Sequence, residues 1–372
     1  MRAYDVVVLG GGPAGSAAAL ALVHERPELR VALVEASAFE RPRIGETLAP
    51  GGRQLLEGLG VWERVRACGL ESFATGAVWG SETRHDNEFV FSMRGNAWHV
   101  DRTAFDEALA ACAEARGVDL HARTRFTRSA QSAAGRWELT LARDGVGEFA
   151  CDAAVVIDAT GRTACFASRQ GAGRFVGDRL TGLAVTFRAP HPVEPTTLVE
   201  AAEDGWWYSA AVPGERIVVA WMSDADLIRG DGLRNVERWT ARMRASPETA
   251  ARLSGCRPES DVSVWSARSQ RLARVCGDRW LAAGDAASAF DPLSSAGILK
   301  ALYTGKIGAF AVLDLLSGNP RGFDRYRAHV EREYAEYLST RTWFYNQERR
   351  WPRARFWSRR HATARTTGSE NR

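Results

Sequence analysis

Gly10-Gly11-Gly12-Pro13-Ala14-Gly15 fits G-x-G-x-x-G and lies between an apolar stretch, residues 6–9, and an alanine-rich stretch, residues 13–24. At a strand-to-helix junction such a run suits the pyrophosphate of a dinucleotide. The first glycine permits the tight turn, the second lets phosphate approach the backbone, and the third lets helix and strand pack closely. Free amides at the helix N-terminus then face the phosphates. Glu35 follows Gly15 by 20 residues, at the end of a second apolar stretch, where a carboxylate can accept hydrogen bonds from ribose hydroxyls. Gly10, Gly12, Pro13, Ala14, Gly15 and Glu35 are the expected ligands. A glycine-rich turn followed by an ordinary surface glutamate is the plainer alternative.

A second constellation lies toward the other end. Trp280-Leu281-Ala282-Ala283-Gly284-Asp285-Ala286-Ala287 closes an apolar stretch with a Gly-Asp pair, and Asp291-Pro292-Leu293-Ser294-Ser295-Ala296-Gly297 opens a helical one. With the glycine run, these motifs resemble the FAD-dependent monooxygenase superfamily of aromatic hydroxylases, flavin halogenases and geranylgeranyl reductases. The resemblance implies that Gly284 and Asp285 hold the ribityl chain of FAD. It also implies that Pro292 and the amides near Ser295, Ala296 and Gly297 sit beneath the flavin pyrimidine. A helix N-terminus there would stabilise the negative charge of reduced flavin near N1 and O2.

Arg102, in Val100-Asp101-Arg102-Thr103, resembles the family arginine that leads a helix toward the FAD phosphates; a guanidinium can grip phosphate bidentately, and a surface helix arginine is the alternative. Arg43-Ile44-Gly45-Glu46-Thr47-Leu48-Ala49-Pro50 resembles the halogenase-side G-E-[ST]-x-x-P loop near the isoalloxazine. Arg43 then counts as a cofactor ligand, and Glu46 either orients substrate or caps the next helix. Asp158-Ala159-Thr160-Gly161-Arg162 stands where the hydroxylases carry A-D-G, with Thr160 in place of the aspartate and Ala164 in place of a serine. That departure puts direct NAD(P)H use in question and leaves a separate flavin reductase or another external donor as the source of electrons.

Flavin halogenases depend on a lysine in the N-terminal half of the chain, whereas here no lysine precedes Lys300. Arginine does not readily deprotonate to replace it. Gly205-Trp206-Trp207-Tyr208-Ser209, taken with the motif at 291–297, is similar to flavoproteins that mature tryptophylquinone cofactors by hydroxylating a tryptophan within a precursor protein. This implies reduction of FAD, capture of O2 as a C4a-hydroperoxide, and oxygen transfer to an aromatic or indolic substrate, free or protein-bound. The pocket must exclude water. Trp206 and Tyr208 would line it and Trp207 face away, by strand alternation; a sheet core or domain seam is their alternative. His99 is a candidate base for a phenolic or indolic proton, or a structural histidine. The enzyme alternative is an FAD-dependent reductase of the geranylgeranyl type, acting on an alkene; a non-enzymatic FAD-binding redox partner is the alternative from another class.

The elements that must position these residues follow from periodicity. Strand, helix and strand within the first 35 residues make a βαβ unit. Helical periodicity resumes at 54–58, strand-like alternation occupies 88–92, and Asp101 is placed to cap a helix over 102–116 that Gly117 ends. Residues 136–142 and 148–151 form a hairpin around Asp144-Gly145, and its second arm leads into an apolar strand at 154–157. From 181 to 267 the pattern is mostly strands, including 206–212 and 216–222, with one helical interlude at 235–244. A last strand at 280–283 precedes helices at 295–316 and 323–344. The expected fold is α/β, with a Rossmann-like FAD-binding domain of the glutathione-reductase type from residues 1–73, 98–180 and 268–320. An inserted, mostly antiparallel β substrate domain takes 74–97 and 181–267; a C-terminal helix at 321–350 and a basic tail at 351–372 complete the chain.

Bulk properties agree with this division. A chain of 372 residues suits a cofactor domain with a covering domain, and 45% hydrophobic with 25% charged residues is an ordinary globular composition. The formal charge of +4 is concentrated in the last residues, where eight arginines from Arg349 onward face only Glu370. The remaining, slightly acidic body does not resemble a nucleic-acid groove. The tail reads as a solvated terminus or, with Trp351 and Trp357, as part of a docking surface for a protein substrate. Six scattered cysteines without a C-x-x-C pair suggest neither zinc nor a disulfide framework. Without a membrane-spanning apolar run or room for a signal peptide, a cytoplasmic location is expected.

Overall fold

Residues 6–9 are apolar without alternation because the strand Arg2–Leu9 lies inside a parallel sheet and is covered on both faces. The structure, a computed structural model, describes residues 2–367. The strand pairs in parallel with Gly147–Asp158 on one side and Val31–Val34 on the other. Trp280–Ala282 and Asp119–His121 extend the sheet at either flank. The hairpin arm and the apolar strand expected separately are one strand, Gly147–Asp158, which leaves its antiparallel partner Trp137–Arg143 and runs on into the parallel sheet. A further strand, Thr124–Gln131, pairs with that hairpin.

The helix Pro13–Glu25 is buried from Pro13 through Val23. It packs against the helices Gly297–Leu316 and Arg102–Glu114 as well as the sheet, which explains an alanine-rich sequence with no polar face. This contact between the first and a late helix brings the two motif-bearing ends together. Asp101 caps Arg102–Glu114, its Oδ1 accepting from the amides of Thr103 (3.0 Å) and Ala104 (3.3 Å).

The second large sheet runs in the order Arg257–Pro258, Leu180–Arg188, Arg216–Asp224, Gly205–Val212, Thr197–Ala202, Ala74–Val78, His85–Glu88. Its pairings are antiparallel apart from Thr197–Ala202 with Ala74–Val78. Alternation divides its side chains between two cores. Trp206, Tyr208, Ala220 and Met222 pack toward Tyr345, Phe356 and Trp357; Trp207, Trp221 and Trp239 fill the opposite face.

Three expectations need correction. The strand expected at 88–92 lies at His85–Glu88, after which the chain turns into a 3-10 helix, Phe89–Phe91, closed by the Ser92 amide on the Phe89 carbonyl. The single helical interlude is three short helices: Ala225–Ile228, Val236–Met243 and Pro247–Arg252. The last of these is capped from a distant strand, because Glu200 accepts from the amides of Glu248 (3.2 Å) and Thr249 (2.7 Å). Finally, the basic tail is largely a structural element. Arg355–Thr367 is a helix that buries Phe356 and Trp357 completely, and Trp357 Nε1 donates to the Ala202 carbonyl (3.0 Å). Arg359 and Arg360 meet Asp224 at 2.8 and 2.9 Å, so part of the positive charge is neutralised at the end of a strand. Trp357 is thus not available for docking, and residues 368–372 lie outside the described residues. No described helix is long and apolar enough to cross a membrane.

Candidate active site

A cavity of about 540 Å³ opens between the carboxyl ends of the parallel strands and the inner face of the second sheet, the position where open α/β sheets receive ligands. Its volume lies within the roughly 300–1,000 Å³ of small-molecule and cofactor clefts. Gly10, Gly12, Pro13, Ala14, Glu35, Arg43 and Arg102 line it from the N-terminal side, and Asp285, Pro292, Ser295 and Gly297 from the C-terminal side.

At the glycine run the three glycines differ. A Cβ on Gly10 would lie 2.2 Å from the Ala159 carbonyl oxygen, and one on Gly15 would lie 1.8 Å from that of Gly10. Protein backbone therefore occupies those approaches, and Gly15 does not face the cavity. A Cβ on Gly12 would meet nothing nearer than Arg43 Nη1 at 3.7 Å, which leaves its face open to a ligand. Helix Pro13–Glu25 has no side-chain cap, so its first amides point into the cavity without a side-chain acceptor.

Glu35 is almost fully buried. Oε2 accepts from the Gly11 amide (2.8 Å), and Oε1 from the Ser37 amide (3.0 Å), the Ser37 hydroxyl (2.6 Å) and Arg43 Nη2 (3.0 Å). Arg43 therefore sits beside Glu35 and Gly12. Its Nη1 also donates to Asp106 (2.7 Å), as does Arg102 Nη2 (2.9 Å), while Arg102 Nη1 donates to the carbonyls of Ile44 and Gly45, both at 3.1 Å. Asp106, fully buried between the two arginines, escaped the sequence reading; its spacing of four from Arg102 on one helix was the available signal.

At the other end, Gly284 donates to Thr304 Oγ1 (3.0 Å) from behind the cavity wall. Burial alone would push the Asp285 carboxyl up, but Lys300 at 2.8 Å and Arg162 at 3.5 Å hold it below the usual carboxylate range. Lys300 is itself buried and lies 4.5 Å over the Phe290 ring. Asp291 organises the following loop: it accepts from the Leu293 amide (3.0 Å), Tyr345 (2.8 Å) and Arg341 (3.1 Å), and its own amide donates to Tyr337 (2.7 Å). Ser295 takes a left-handed φ of 49°. The next helix starts at Gly297 without a side-chain cap, and a Cβ on Gly297 would meet nothing within 4 Å. Ala296 is the N-cap and does not line the cavity.

Two uncapped helix N-termini, two open glycine faces, two arginines and two carboxylates fit an elongated dinucleotide with an anionic middle and an electron-accepting ring. FAD has that form.

The remaining wall is aromatic and apolar: Ile44, Tyr208, Met222, Trp265 and Phe290, with Thr47 between them. Trp265 and Met222 carried no recognisable sequence signal. Glu46 lies behind this wall. Burial raises its carboxyl to about 7 against the opposing effects of Arg102 and Tyr208, and its Oε2 has no hydrogen-bond partner among the described residues.

Besides Glu46, two further proposed catalytic residues do not reach the cavity. Trp206 is fully buried, donating from Nε1 to the Tyr345 hydroxyl (3.1 Å) with its ring edge-on to Trp79. Two residues along a strand put it nearly 7 Å beyond Tyr208 on the same face, against the C-terminal helices instead of the cavity. His99 is also fully buried, between Thr197 Oγ1 (2.8 Å) and the Ala211 carbonyl (3.0 Å). Burial, reinforced by Arg252, lowers its pKa to about 4, so the ring is neutral, and with both nitrogens hydrogen-bonded away from the cavity it meets no substrate proton. Asp158, in the Asp-Ala-Thr-Gly-Arg segment, binds the Thr160 amide and hydroxyl and the Ala167 amide, which secures the turn under the cavity.

A family model described as FAD binding domain matches residues 3–302. LodB of Marinomonas mediterranea, named as an FAD-dependent oxidoreductase, is 32% identical over 370 residues, covering 97% of this chain and 98% of its own. Among solved structures, the myxobacterial chondrochloren halogenase CndH superposes with a TM-score of 0.88 at 23% identity, over 100% of this chain and 89% of its own. QhpG, a peptidyl tryptophan dihydroxylase essential for tryptophylquinone cofactor biogenesis, superposes with a TM-score of 0.78 at 23% identity, over 96% and 79%. The two superpositions establish a shared fold.

Proposed function

Because this chain belongs to the FAD binding domain family and is an FAD-dependent oxidoreductase, we propose that it is a monooxygenase acting on an electron-rich aromatic ring, specifically the indole of a protein-bound tryptophan. The observation that carries this reading is one cavity in which a donor set fitted to FAD continues into an aromatic wall of Tyr208, Trp265 and Phe290. The likeness to a peptidyl tryptophan dihydroxylase supports the substrate class.

Bound and reduced, FAD supplies the activation of dioxygen. The residues of this chain do the rest. The backbone amides of Gly12 and Ala14, with Arg43, would hold the pyrophosphate; Glu35 would face the adenosine ribose, and Asp285 the ribityl hydroxyls. The helix N-terminus at Gly297 would oppose the negative charge on the reduced ring. Tyr208, Met222 and Trp265 would hold the substrate ring flat and exclude water. Glu46, poised near neutrality behind Tyr208, would hold a proton released when the ring regains aromaticity. An external donor, either NAD(P)H or a separate flavin reductase, supplies electrons.

Halogenation is the weaker reading. No lysine lines the cavity among the described residues, and Lys300 is committed to Asp285 at 2.8 Å. Peroxide release tests the proposal. The FAD-loaded protein, reduced without oxygen and then mixed with aerated buffer, should release nearly one peroxide per flavin when alone. A tryptophan-containing peptide should reduce that yield severalfold and gain oxygen. An unchanged yield with unmodified peptide would refute it.

A further inference from the structure

Resting on the indole-oxygenase reading, we propose that His99, Thr197 and Thr47 form a one-way hydrogen-bond chain that makes the Tyr208 oxygen an acceptor toward the cavity, so that the site selects aromatic rings bearing an N–H donor.

The direction is set at the buried end. His99 Nδ1 lies 3.0 Å from the Ala211 carbonyl oxygen, and a carbonyl only accepts, so Nδ1 carries the hydrogen. In the neutral ring Nε2 then has a lone pair, and Thr197 Oγ1, at 2.8 Å, must donate to it. Having given its proton, Thr197 accepts from Thr47 Oγ1 at 3.3 Å, and Thr47 accepts from the Tyr208 hydroxyl at 2.9 Å. Three hydroxyl protons serve three contacts, one each, all directed away from the cavity.

Were Tyr208 to give its proton to the neighbouring Glu46 carboxyl instead, one contact in the chain would hold no proton. A buried polar pair without a proton between its oxygens is costly. Tyr208 lines the cavity, and with its proton committed to Thr47 its oxygen has only lone pairs left to offer a ligand there. An indole N–H satisfies one of them; an alkene, or a ring without a donor, leaves it unpaired.

His99 and Thr197 are positioning residues in this account, since neither lines the cavity. The test uses full-length FAD-loaded protein in the oxidised state, titrated with 3-methylindole and with its near-isostere 3-methylbenzothiophene, which lacks the N–H. Binding is read from the flavin absorbance. The wild type should bind the indole about tenfold more tightly. Tyr208→Phe should bring the ratio to about one, and Thr197→Val, which cuts the chain outside the cavity, should lower it to about threefold or less at unchanged FAD content. A wild-type ratio near one, no response to either ring, or a ratio unmoved by Thr197→Val would overturn the proposal. Because no oxygen is present in the readout, these results can fail while oxygenation stands, and the converse.

Discussion

Glu46 combines complete burial with an unpartnered Oε2, so ionising it in the folded chain is costly. Burial raises its pKa from the usual 4.5 to about 7. Between those values the folded state binds more protons than the unfolded one, and stability therefore falls as pH rises through this window. Glu46→Gln should match the wild type near pH 4.5 and exceed it by about 3 kcal/mol above pH 8, as measured by urea unfolding. A difference that does not grow with pH would show that Glu46 is solvated. Lys300 presents the opposite case, a buried cation satisfied by Asp285. Lys300→Met should free that carboxylate and weaken FAD binding about tenfold, read by flavin fluorescence quenching. Glycine spacing pointed to Glu35, a local signal, whereas Asp285 and Tyr208 were singled out through the resemblance carried by the Gly-Asp pair and the Gly205–Ser209 run. For His99 the sequence left base and structural histidine both open, because its partners, Thr197 and Ala211, lie about a hundred residues away in sequence.

The helix Arg321–Gln347 acts as the brace of the flavin loop. Tyr337, Arg341 and Tyr345 all reach Asp291, and Arg341 also bridges to Asp178 at 3.0 Å. Arg341→Met would leave two largely buried carboxylates facing one another. Loss of roughly 3–5 kcal/mol of stability is expected, together with weaker FAD binding; a variant of unchanged stability and affinity would remove this helix from the site's support. Periodicity located the brace but not its purpose, since a tyrosine and an arginine on a helix face do not disclose what they touch. The same limit hid the helix Pro247–Arg252, whose cap comes from Glu200 on a strand.

At the scale of the molecule, the cavity exists because Pro13–Glu25 packs on Gly297–Leu316, joining segments nearly 300 residues apart. The βαβ start, the late Gly-Asp strand and the two-sheet plan were legible as periodic patterns; the closure of the chain's end was not. An arginine-rich stretch reads as solvated, yet Asp224 and Asp226 neutralise it and Trp357 anchors it. Deleting residues 351–372 should accordingly lower the melting midpoint by roughly 10 °C, whereas a purely peripheral tail would leave it unchanged.

The central claim is that this cavity delivers an atom of dioxygen to an indole, and isotope incorporation tests it most directly. FAD-loaded protein, reduced without air and exposed to 18O2 with a tryptophan-containing peptide, should yield a peptide carrying heavy oxygen on the indole ring. Heavy oxygen arriving only when the water is labelled, or a product reduced at a double bond with no oxygen gained, would contradict the account.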